Sequence, residues 1–153
     1  MQKPTIEDVA KRANVSIATV SRVINRRGGV RSKTEARILA AIEELNYIPN
    51  AVARSMVKKT TNTIGIIIPD VMNPFFPEVV SGIEQKAREK GYFTMLCNTN
   101  ESAETERELL QIFLERSVDG LIITTADEEG DHLQAAIDAK IPIVAVDRAV
   151  KRF

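Results

Sequence analysis

Two hydrophobic periodicities divide the chain. Between residues 5 and 46, apolar residues recur every three or four positions, a spacing that places them on one face of an α-helix. After residue 63, short apolar runs alternate with helix-like segments, which is the pattern of parallel strands joined by crossover helices. The sequence therefore predicts an all-α head followed by a doubly wound α/β lobe.

The pattern over residues 5–25 predicts two short helices around a tight turn, the arrangement of a helix-turn-helix. Thr5 and Asp8 have the spacing of a capping box at the start of the first helix. Asn14 suits the turn because asparagine tolerates left-handed backbone angles, and Ser16 is an N-cap for the second helix. The apolar positions of the two helices are Ile6, Val9, Ala10, Ala13, Val20, Val23 and Ile24.

A third helix is predicted from Ser32, which with Glu35 repeats the capping-box spacing, to a point near Asn46. The preceding loop, residues 25–29, is basic and contains glycine, so it can lie along phosphates. Three helices of this size have a thin core. The head is therefore expected to gain stability from a partner or a larger body.

The exposed face of the second helix has unusual surface chemistry. It carries Ile17, Ala18, Ser21 and Arg22. Small and apolar side chains suit contact with thymine methyl groups and close approach to a major groove, and arginine can pair bidentately with guanine. This face therefore predicts DNA reading, although an ordinary helical hairpin with a few exposed apolar residues remains an alternative.

Charge separates the same two parts of the chain. Residues 1–60 hold 12 lysines and arginines against 5 aspartates and glutamates, whereas residues 61–153 hold 9 against 16, so a net charge of zero conceals the contrast. A basic head favours an anionic partner, and the phosphate backbone of nucleic acid is the usual one. The acidic part would resist nonspecific binding to DNA.

The segment that joins the two parts predicts a very short helix. Asn50 is a possible N-cap for about two turns that end near Met56, and a helix of that length is marginal alone in water. Such a segment could fold on meeting DNA, with Met56 as a wedge between base steps of a minor groove. Residues 58–62 form a polar linker, and a simple connector remains the alternative.

Three runs, TIEDVAKRANVSIATVSRVIN, ELNYIPNAVARSM and TIGIIIPDVMNPFF, together resemble the lactose repressor family of bacterial transcription regulators. The resemblance covers essentially the whole chain. It implies a homodimer whose two heads bind a near-palindromic double-stranded operator. It also implies that Ile17, Ala18 and Arg22 read bases, since they occupy the first, second and sixth positions of the recognition helix.

The resemblance gives the joining segment the role of a hinge helix. Met56 stands where the family usually inserts a leucine at the operator centre, and Ala53 and Asn50 match other hinge positions. Methionine is flexible and can still act as a wedge, so we expect that role with weaker kinking. The complete set of predicted DNA-binding residues is Thr5, Ser16, Ile17, Ala18, Thr19, Ser21, Arg22, Asn25, Asn50, Ala53 and Met56.

In the second part of the chain, apolar runs predict strands over residues 64–69, 93–97, 120–124 and 143–146. Helical spacing between them predicts helices over residues 75–90, 102–116 and 132–139. Ligands of doubly wound sheets bind beyond the carboxyl ends of the strands. The loops at residues 70–76, 98–100, 125–127 and 147–148 are therefore the predicted ligand site.

Two of these loops carry groups suited to a sugar. Asn73 offers an amide beside the aromatic rings of Phe75 and Phe76, while Asp147 and Arg148 offer an acceptor and a fork of donors. Aromatic pairs at a helix start are also common in cores, so that alternative stays open. Together the loops resemble the pentose-binding loops of ribose-binding proteins and ribose-type regulators, which implies ribose or a related sugar as the effector.

These features divide the chain into a head at residues 1–48, a hinge helix and linker at 49–62, and a partial effector-binding and dimerisation lobe at 63–153. The family has two similar lobes with the effector between them, whereas this chain stops after the fourth predicted strand. We therefore expect a truncated chain with an open sheet edge and an uncovered apolar face, features that favour instability or aggregation. A natural short regulator without its sensor is the alternative.

Other classes of site find little support. Cys97, the only cysteine, lies in a predicted buried strand, so a disulfide framework is excluded and a reducing cytoplasm fits. His132, the only histidine, is expected at the surface rather than as a metal ligand or base. No membrane-length run, signal peptide or glycine-rich phosphate loop is evident. We expect no cofactor, no metal and no catalysis, in a protein that associates with the nucleoid.

Two alternatives to an effector-controlled repressor remain. One is a sugar-binding module with an incidental basic head. The other is an α/β enzyme that uses Asp70, Asp127 or Asp147, which stand at predicted strand ends. Without a nucleophile–base pair, these carboxylates are more simply explained as hydrogen-bonding groups for a sugar.

Overall fold

The computed structural model describes residues 3–49 and 60–151. The chain separates into two compact units, Met1–Ala51 and Val52–Phe153. We call the described residues of the first unit the head and those of the second the lobe. A helical head and a parallel α/β lobe are the two architectures that the sequence predicts.

The head contains three helices, α1 (Ile6–Ala13), α2 (Ile17–Ile24) and α3 (Ser32–Glu44). They pack around one apolar cluster, whose buried members are Val9, Ala10, Ala13, Val20, Val23, Ile38 and Ala41. Arg12 and Glu44 pair side by side across α1 and α3, with nitrogen–oxygen distances of 3.0 Å from Nε and 2.7 Å from Nη2. Both side chains are more than half exposed, so this pair stabilises the head only slightly.

Two of the three helix caps predicted for the head are confirmed. Thr5 and Asp8 form a complete capping box, and Ser16 accepts a hydrogen bond from the backbone N–H of Thr19. The prediction for Ser32 is wrong, because Ser32 is already helical and Arg31 is the N-cap, without a side-chain cap hydrogen bond. A capping side chain needs an extended backbone just before the helix, and Arg31 has that conformation (φ −64°, ψ 138°).

The lobe is built on four parallel strands, β1 (Thr63–Ile68), β2 (Phe93–Asn98), β3 (Gly120–Ile123) and β4 (Ile143–Ala145). Their spatial order is β2-β1-β3-β4. Two long crossover helices are α4 (Phe75–Glu89) and α5 (Ala103–Glu115). This is the predicted doubly wound topology, in which all strands end at the same edge.

The third crossover differs from its prediction as a single helix over residues 132–139. A 3₁₀ turn (Asp131–Leu133) comes first, and the short helix α6 (Gln134–Asp138) follows it. Gly130 enters the turn in the left-handed region (φ 76°), a conformation that glycine adopts at no steric cost. The tight turn buries the Leu133 side chain completely.

Apolar side chains cover the sheet on two sides. On one side α4 contributes Phe76 to a cluster with Ile66 and Ile68. On the other, α5 contributes Leu110 and Phe113 to the larger cluster. Alternate residues of β1 thus face opposite layers, as expected for a buried parallel strand.

Part of the sheet is uncovered on the side of α4. Ile66, Ile122 and Val144 lie in register on neighbouring strands, yet exposure rises from 1% at Ile66 to 55% at Val144. An apolar groove runs beside α4 past Ile64, Ile122 and Val144. The expected uncovered apolar face is therefore present in the described part of the lobe.

Cys97 lies in the edge strand β2 and is half-buried rather than fully buried. Burial raises the pKa of its thiol, which lowers its reactivity. Among the described residues, no helix is both long and apolar enough to cross a membrane. Within the same ranges, no group of His, Cys, Asp and Glu is arranged to hold a metal ion.

Candidate nucleic-acid interface and ligand-binding edge

Helix α2 separates a buried stripe from an exposed face. Val20 and Val23 are 0% and 9% exposed and pack into the head, whereas Ile17 is 45% exposed. Ala18 and Arg22 are exposed beside it. Positions 17, 18 and 22 share one side of the helix because they are one, four and five residues apart. The structure thus brings together the three predicted base-reading residues.

Polar residues at the two ends of α2 shape its backbone. The Ser16 hydroxyl accepts from the Thr19 N–H at 3.2 Å and lies 2.9 Å from the Thr19 hydroxyl. At the other end, the Asn25 amide nitrogen donates to the Ser21 carbonyl at 2.8 Å and to its hydroxyl at 3.2 Å. These contacts fix where the exposed face of α2 begins and ends.

A basic loop follows α2. Arg26 and Arg27 are both exposed, and Arg26, Gly28 and Gly29 adopt positive φ angles. The Arg22 guanidinium lies against this loop, since an ideal Cβ at Gly29 would be only 3.4 Å from Nη1 of Arg22. The loop therefore adds positive charge next to the exposed face of α2.

Four of the predicted DNA-binding residues lie outside α2 and its caps. Thr5 is exposed, and its hydroxyl donates to the Asp8 carboxylate at 2.8 Å. The hydrogen bonds of the capping box hold the pKa of Asp8 below its usual value. Asn50, Ala53 and Met56, the predicted hinge residues, lie outside the described residues.

The second candidate site is the edge of the lobe where the four strands end. The side chains of three residues at this edge accept hydrogen bonds from backbone N–H groups of the loop after β1. Asp70 accepts from Met72 at 2.8 Å, Asn73 accepts from Phe75 at 3.1 Å, and Asn98 accepts from Val71 at 2.9 Å. These contacts give the loop after β1 a defined conformation and connect it to the end of β2.

The two phenylalanines of this loop have different environments. Phe75 is 48% exposed, whereas Phe76 is only 3% exposed and packs against Ile66 and Ile68. Their rings meet edge to face at a centroid distance of 5.1 Å. The expectation that both rings offer a free face is wrong for Phe76, because helical geometry turns adjacent side chains about 100° apart. Phe76 instead supports Phe75 from the core.

Arg148, predicted to bind the effector, holds a carboxylate of the chain itself. Its Nη1 and Nη2 donate to Glu101 Oε2 and Oε1 at 2.6 and 2.7 Å, and Nη1 also donates to the Thr125 carbonyl at 3.2 Å. The bonds from Arg148 lower the pKa of Glu101, and the same bonds raise the pKa of Arg148. Glu101 was missed by sequence reasoning, although it directly follows the predicted loop at residues 98–100.

A buried polar network lies behind this edge and corrects the prediction for His132. The side chains of Glu106 and His132 are 0% and 2% exposed, and His132 Nε2 is 2.5 Å from Glu106 Oε1. Glu106 also accepts from the Thr125 hydroxyl and the Ala126 N–H, both at 2.6 Å. His132 is therefore an internal residue whose polar ring compensates a buried carboxylate.

A sequence signal for this burial exists. Glu106 precedes Leu110 by four residues and Phe113 by seven, so all three share the apolar face of α5. His132 Nδ1 is buried without a hydrogen-bond partner, and the nearest carboxylate oxygen of Asp127 is 3.7 Å away. Asp127 itself pairs with Arg107 at 3.2 Å. The carboxylate of Asp127 is thus already engaged at the end of β3.

Two family models match different parts of the chain. Residues 5–50 match the family model described as bacterial regulatory proteins of the lacI family. Residues 61–152 match the model described as periplasmic binding proteins and the sugar binding domain of the lacI family. Residues 51–60 lie between the two matches.

Similar curated proteins include the ribose operon repressor of Halalkalibacterium halodurans, which is 49% identical over 149 residues. The HTH-type transcriptional repressor PurR of Photobacterium profundum is 42% identical over 144 residues. These alignments cover 95% and 94% of this chain, respectively. The chain spans 43% of the length of each of these two relatives.

Among solved structures, the lac repressor dimer bound to operator and the anti-inducer ONPF is similar, with a TM-score of 0.80 and 30% identity. The likeness covers 97% of this chain and 46% of that one. The helical head, the parallel lobe and both family models therefore indicate the same family. The chain belongs to the lacI family of bacterial regulatory proteins.

Proposed function

We propose that this chain carries the DNA-binding part of a sequence-specific transcriptional regulator, acting as a repressor under the control of a small-molecule effector. The observation that carries the proposal is the exposed face of α2, where Ile17, Ala18 and Arg22 stand together on a basic head. A second helix capped by Ser16 and presented to solvent is suited to enter a major groove. Both relatives described above are named as repressors, which supports this choice.

The predicted DNA-contacting residues of the head divide into three groups in this proposal. Ile17 and Ala18 contact thymine methyl groups, and Arg22 pairs with guanine. Hydroxyls and amides of Thr5, Ser16, Thr19, Ser21 and Asn25 contact phosphates or sugars and set the register of the head. The exposed arginines of the loop at residues 25–29 supply attraction that does not depend on sequence.

The segment over residues 50–56 is proposed as a hinge helix that folds on the operator. It is too short to be stable alone in water. Folding beside a second copy in the minor groove would let Met56 enter the stack between base steps, with Asn50 and Ala53 on the same hinge. The proposed functional division is 1–48 for the head, 49–62 for the hinge and linker, and 63–153 for the effector-binding and dimerisation lobe.

The proposed effector is a sugar, with ribose as the first candidate. Exposed Phe75 offers a ring face at the edge where the strands end, and Phe76 supports it from the core. Asn73, Asp147 and Arg148 supply polar groups in the same loops. The name of the Halalkalibacterium halodurans relative, a ribose operon repressor, favours the same ligand class.

The proposed mechanism is thermodynamic linkage. Two heads of a homodimer bind the half-sites, and the lobes hold the hinges at a fixed separation. An effector that prefers a different arrangement of the lobes changes the free energy of folding the hinges, and hence the affinity for the operator. The corresponding location of the protein is the cytoplasm, in association with the nucleoid.

Selection from a pool of random duplexes tests this function. The natural protein that carries this sequence is expected to enrich a near-palindromic site and to protect it in a footprint at physiological salt. D-Ribose is then added to the complex. No enrichment above the starting pool would reject the DNA-reading function, and a selected site that is insensitive to ribose and related sugars would reject the effector class alone.

A further inference from the structure

The pair between Arg148 and Glu101 connects loops from the two edges of the sheet. Glu101 follows β2, and Arg148 follows β4. These strands are the outermost two in the order β2-β1-β3-β4, so the ion pair passes across the ends of β1 and β3. It therefore lies in the mouth where doubly wound sheets bind their ligands.

Glu101 occupies two hydrogen-bond donors of the Arg148 guanidinium, Nη1 and Nη2. Two parallel bonds of 2.6 and 2.7 Å join the guanidinium to both oxygens of Glu101. This bidentate contact is the same one that a carboxylate or phosphate ligand would make. Glu101 thus stands in for an anionic ligand and neutralises the charge that would attract one.

Further acidic groups surround the pair. Asp147 and Glu128 are close enough to Arg148 to raise its pKa by their charge. In the described loops at this edge, the other cation, Lys151, pairs with Glu129. Arg107, which reaches the edge from α5, pairs with Asp127 at 3.2 Å. An anion that entered the mouth would meet cations that are already compensated.

Backbone conformation holds both partners in place. Glu101 has φ 61°, Asn100 has φ 52°, and Asp147, which precedes the arginine, has φ 67°. Residues other than glycine rarely adopt this left-handed backbone conformation, and those that do are concentrated at ligand-binding sites. The loops on both sides of the ion pair are thus built in conformations that the surrounding structure must impose.

We propose that Glu101 determines effector specificity, by making the site select uncharged polyols and exclude anionic ones such as sugar phosphates. This inference rests on the proposed sugar effector. A polyol hydroxyl can donate to the Glu101 carboxylate, which has lone pairs beyond the two that Arg148 uses. A phosphate would have to displace the carboxylate from Arg148 and remain beside it and the neighbouring carboxylates.

The test compares D-ribose with D-ribose 5-phosphate in calorimetric titrations of the natural protein that carries this sequence. The variant Glu101→Gln removes the charge of the side chain and keeps its size. The variant Glu101→Ser removes the charge and also shortens the side chain. Glu89→Gln is the matched control, because Glu89 pairs with Lys86 at 2.7 Å on α4. Thermal melts check that each variant is folded.

The wild-type protein and Glu89→Gln are expected to bind ribose and to discriminate against the phosphate. Both Glu101 variants should shift the ratio of the two affinities toward the phosphate by about tenfold or more, because the guanidinium of Arg148 loses its carboxylate partner and becomes available to the phosphate. An unchanged ratio in a protein that binds ribose would overturn this inference and leave the proposed function standing. Tighter binding of the phosphate by the wild type would also overturn it, whereas binding of neither probe by any variant would reject the sugar effector itself.

Discussion

Oε1 of Glu106 lies 2.5 Å from Nε2 of His132, and both side chains are almost completely buried. The carboxylate also accepts hydrogen bonds from the Thr125 hydroxyl and the Ala126 N–H. Thr125 in turn offers its carbonyl to Arg148. One polar network therefore connects the interior of the lobe with the edge where the strands end.

Removing the buried carboxylate should destabilise the lobe strongly. Glu106→Ala leaves the Thr125 hydroxyl, the Ala126 N–H and the His132 ring without their shared acceptor, so we expect a loss of about 3–5 kcal/mol. Glu108→Ala on the same helix is the control, because Glu108 is exposed and should change stability by less than about 0.5 kcal/mol. Urea unfolding followed by circular dichroism measures both. Similar losses in the two variants would contradict a special role for Glu106.

Two glycines of the lobe should respond oppositely to alanine. An ideal Cβ at Gly65 would lie 2.5 Å from Cδ2 of Phe113, whereas a Cβ at Gly82, within α4, would meet nothing within 4 Å. Gly65→Ala should therefore cost about 1–3 kcal/mol through overpacking. Gly82→Ala should be neutral or stabilise by up to about 1 kcal/mol, since alanine favours helix. Urea midpoints that fall equally in both variants would refute the close packing of β1 on α5.

The capping box gives the head a defined dependence on pH. Hydrogen bonds from Thr5 lower the pKa of Asp8 in the folded head, so the contribution of Asp8 is fully present above the unfolded value of about 3.9. This contribution to stability is lost as pH falls through the lower pKa that Asp8 has in the folded head. The melting temperature of the wild-type head should exceed that of Asp8→Asn near neutral pH. The difference between the two melting temperatures should narrow in acid. A difference that widens in acid would contradict a stabilising role for the ionised Asp8 carboxylate.

Disrupting the proposed hinge should separate specific from nonspecific binding. Replacement of residues 52–55 by four glycines makes helix formation much less favourable. We expect specific affinity to fall at least about tenfold more than affinity for random duplex, since only the specific complex requires the folded hinge. Fluorescence anisotropy with matched operator and random duplexes measures the difference. Equal weakening on both duplexes would reject the folding hinge.

Periodicity and caps predicted much of the fold because they are local signals. The apolar spacing of α1 and α2, the left-handed Asn14 and the caps Thr5 and Ser16 all appear in the structure. Alternation of apolar runs and helical segments likewise predicted the parallel sheet, with differences of one residue at several strand ends. The assignment of Ser32 failed because α3 begins one residue earlier than the preferred capping residue indicates, with Arg31 as the N-cap, and local signals define helix ends only to within one or two residues.

The candidate sites were predicted less completely, because they depend on contacts between distant parts of the chain. Glu101 and Arg148 are 47 positions apart, and Glu106 and His132 are 26 positions apart. No spacing rule connects such residues. Phe75 and Phe76 are adjacent in sequence, yet only packing of α4 on the sheet decides which ring is exposed.

The most direct test of the central claim, that α2 reads bases, is the change in specificity caused by Arg22→Ala. Binding to the selected operator and to all its single-base-pair variants is measured by fluorescence anisotropy at fixed salt, with Arg37→Ala, an exposed residue of α3, as the control. We expect Arg22→Ala to lose about 1–3 kcal/mol of discrimination at one base pair of each half-site, and Arg37→Ala to keep the discrimination of the wild type. A loss for Arg22→Ala that is uniform across all duplexes would make Arg22 a phosphate contact and contradict the account.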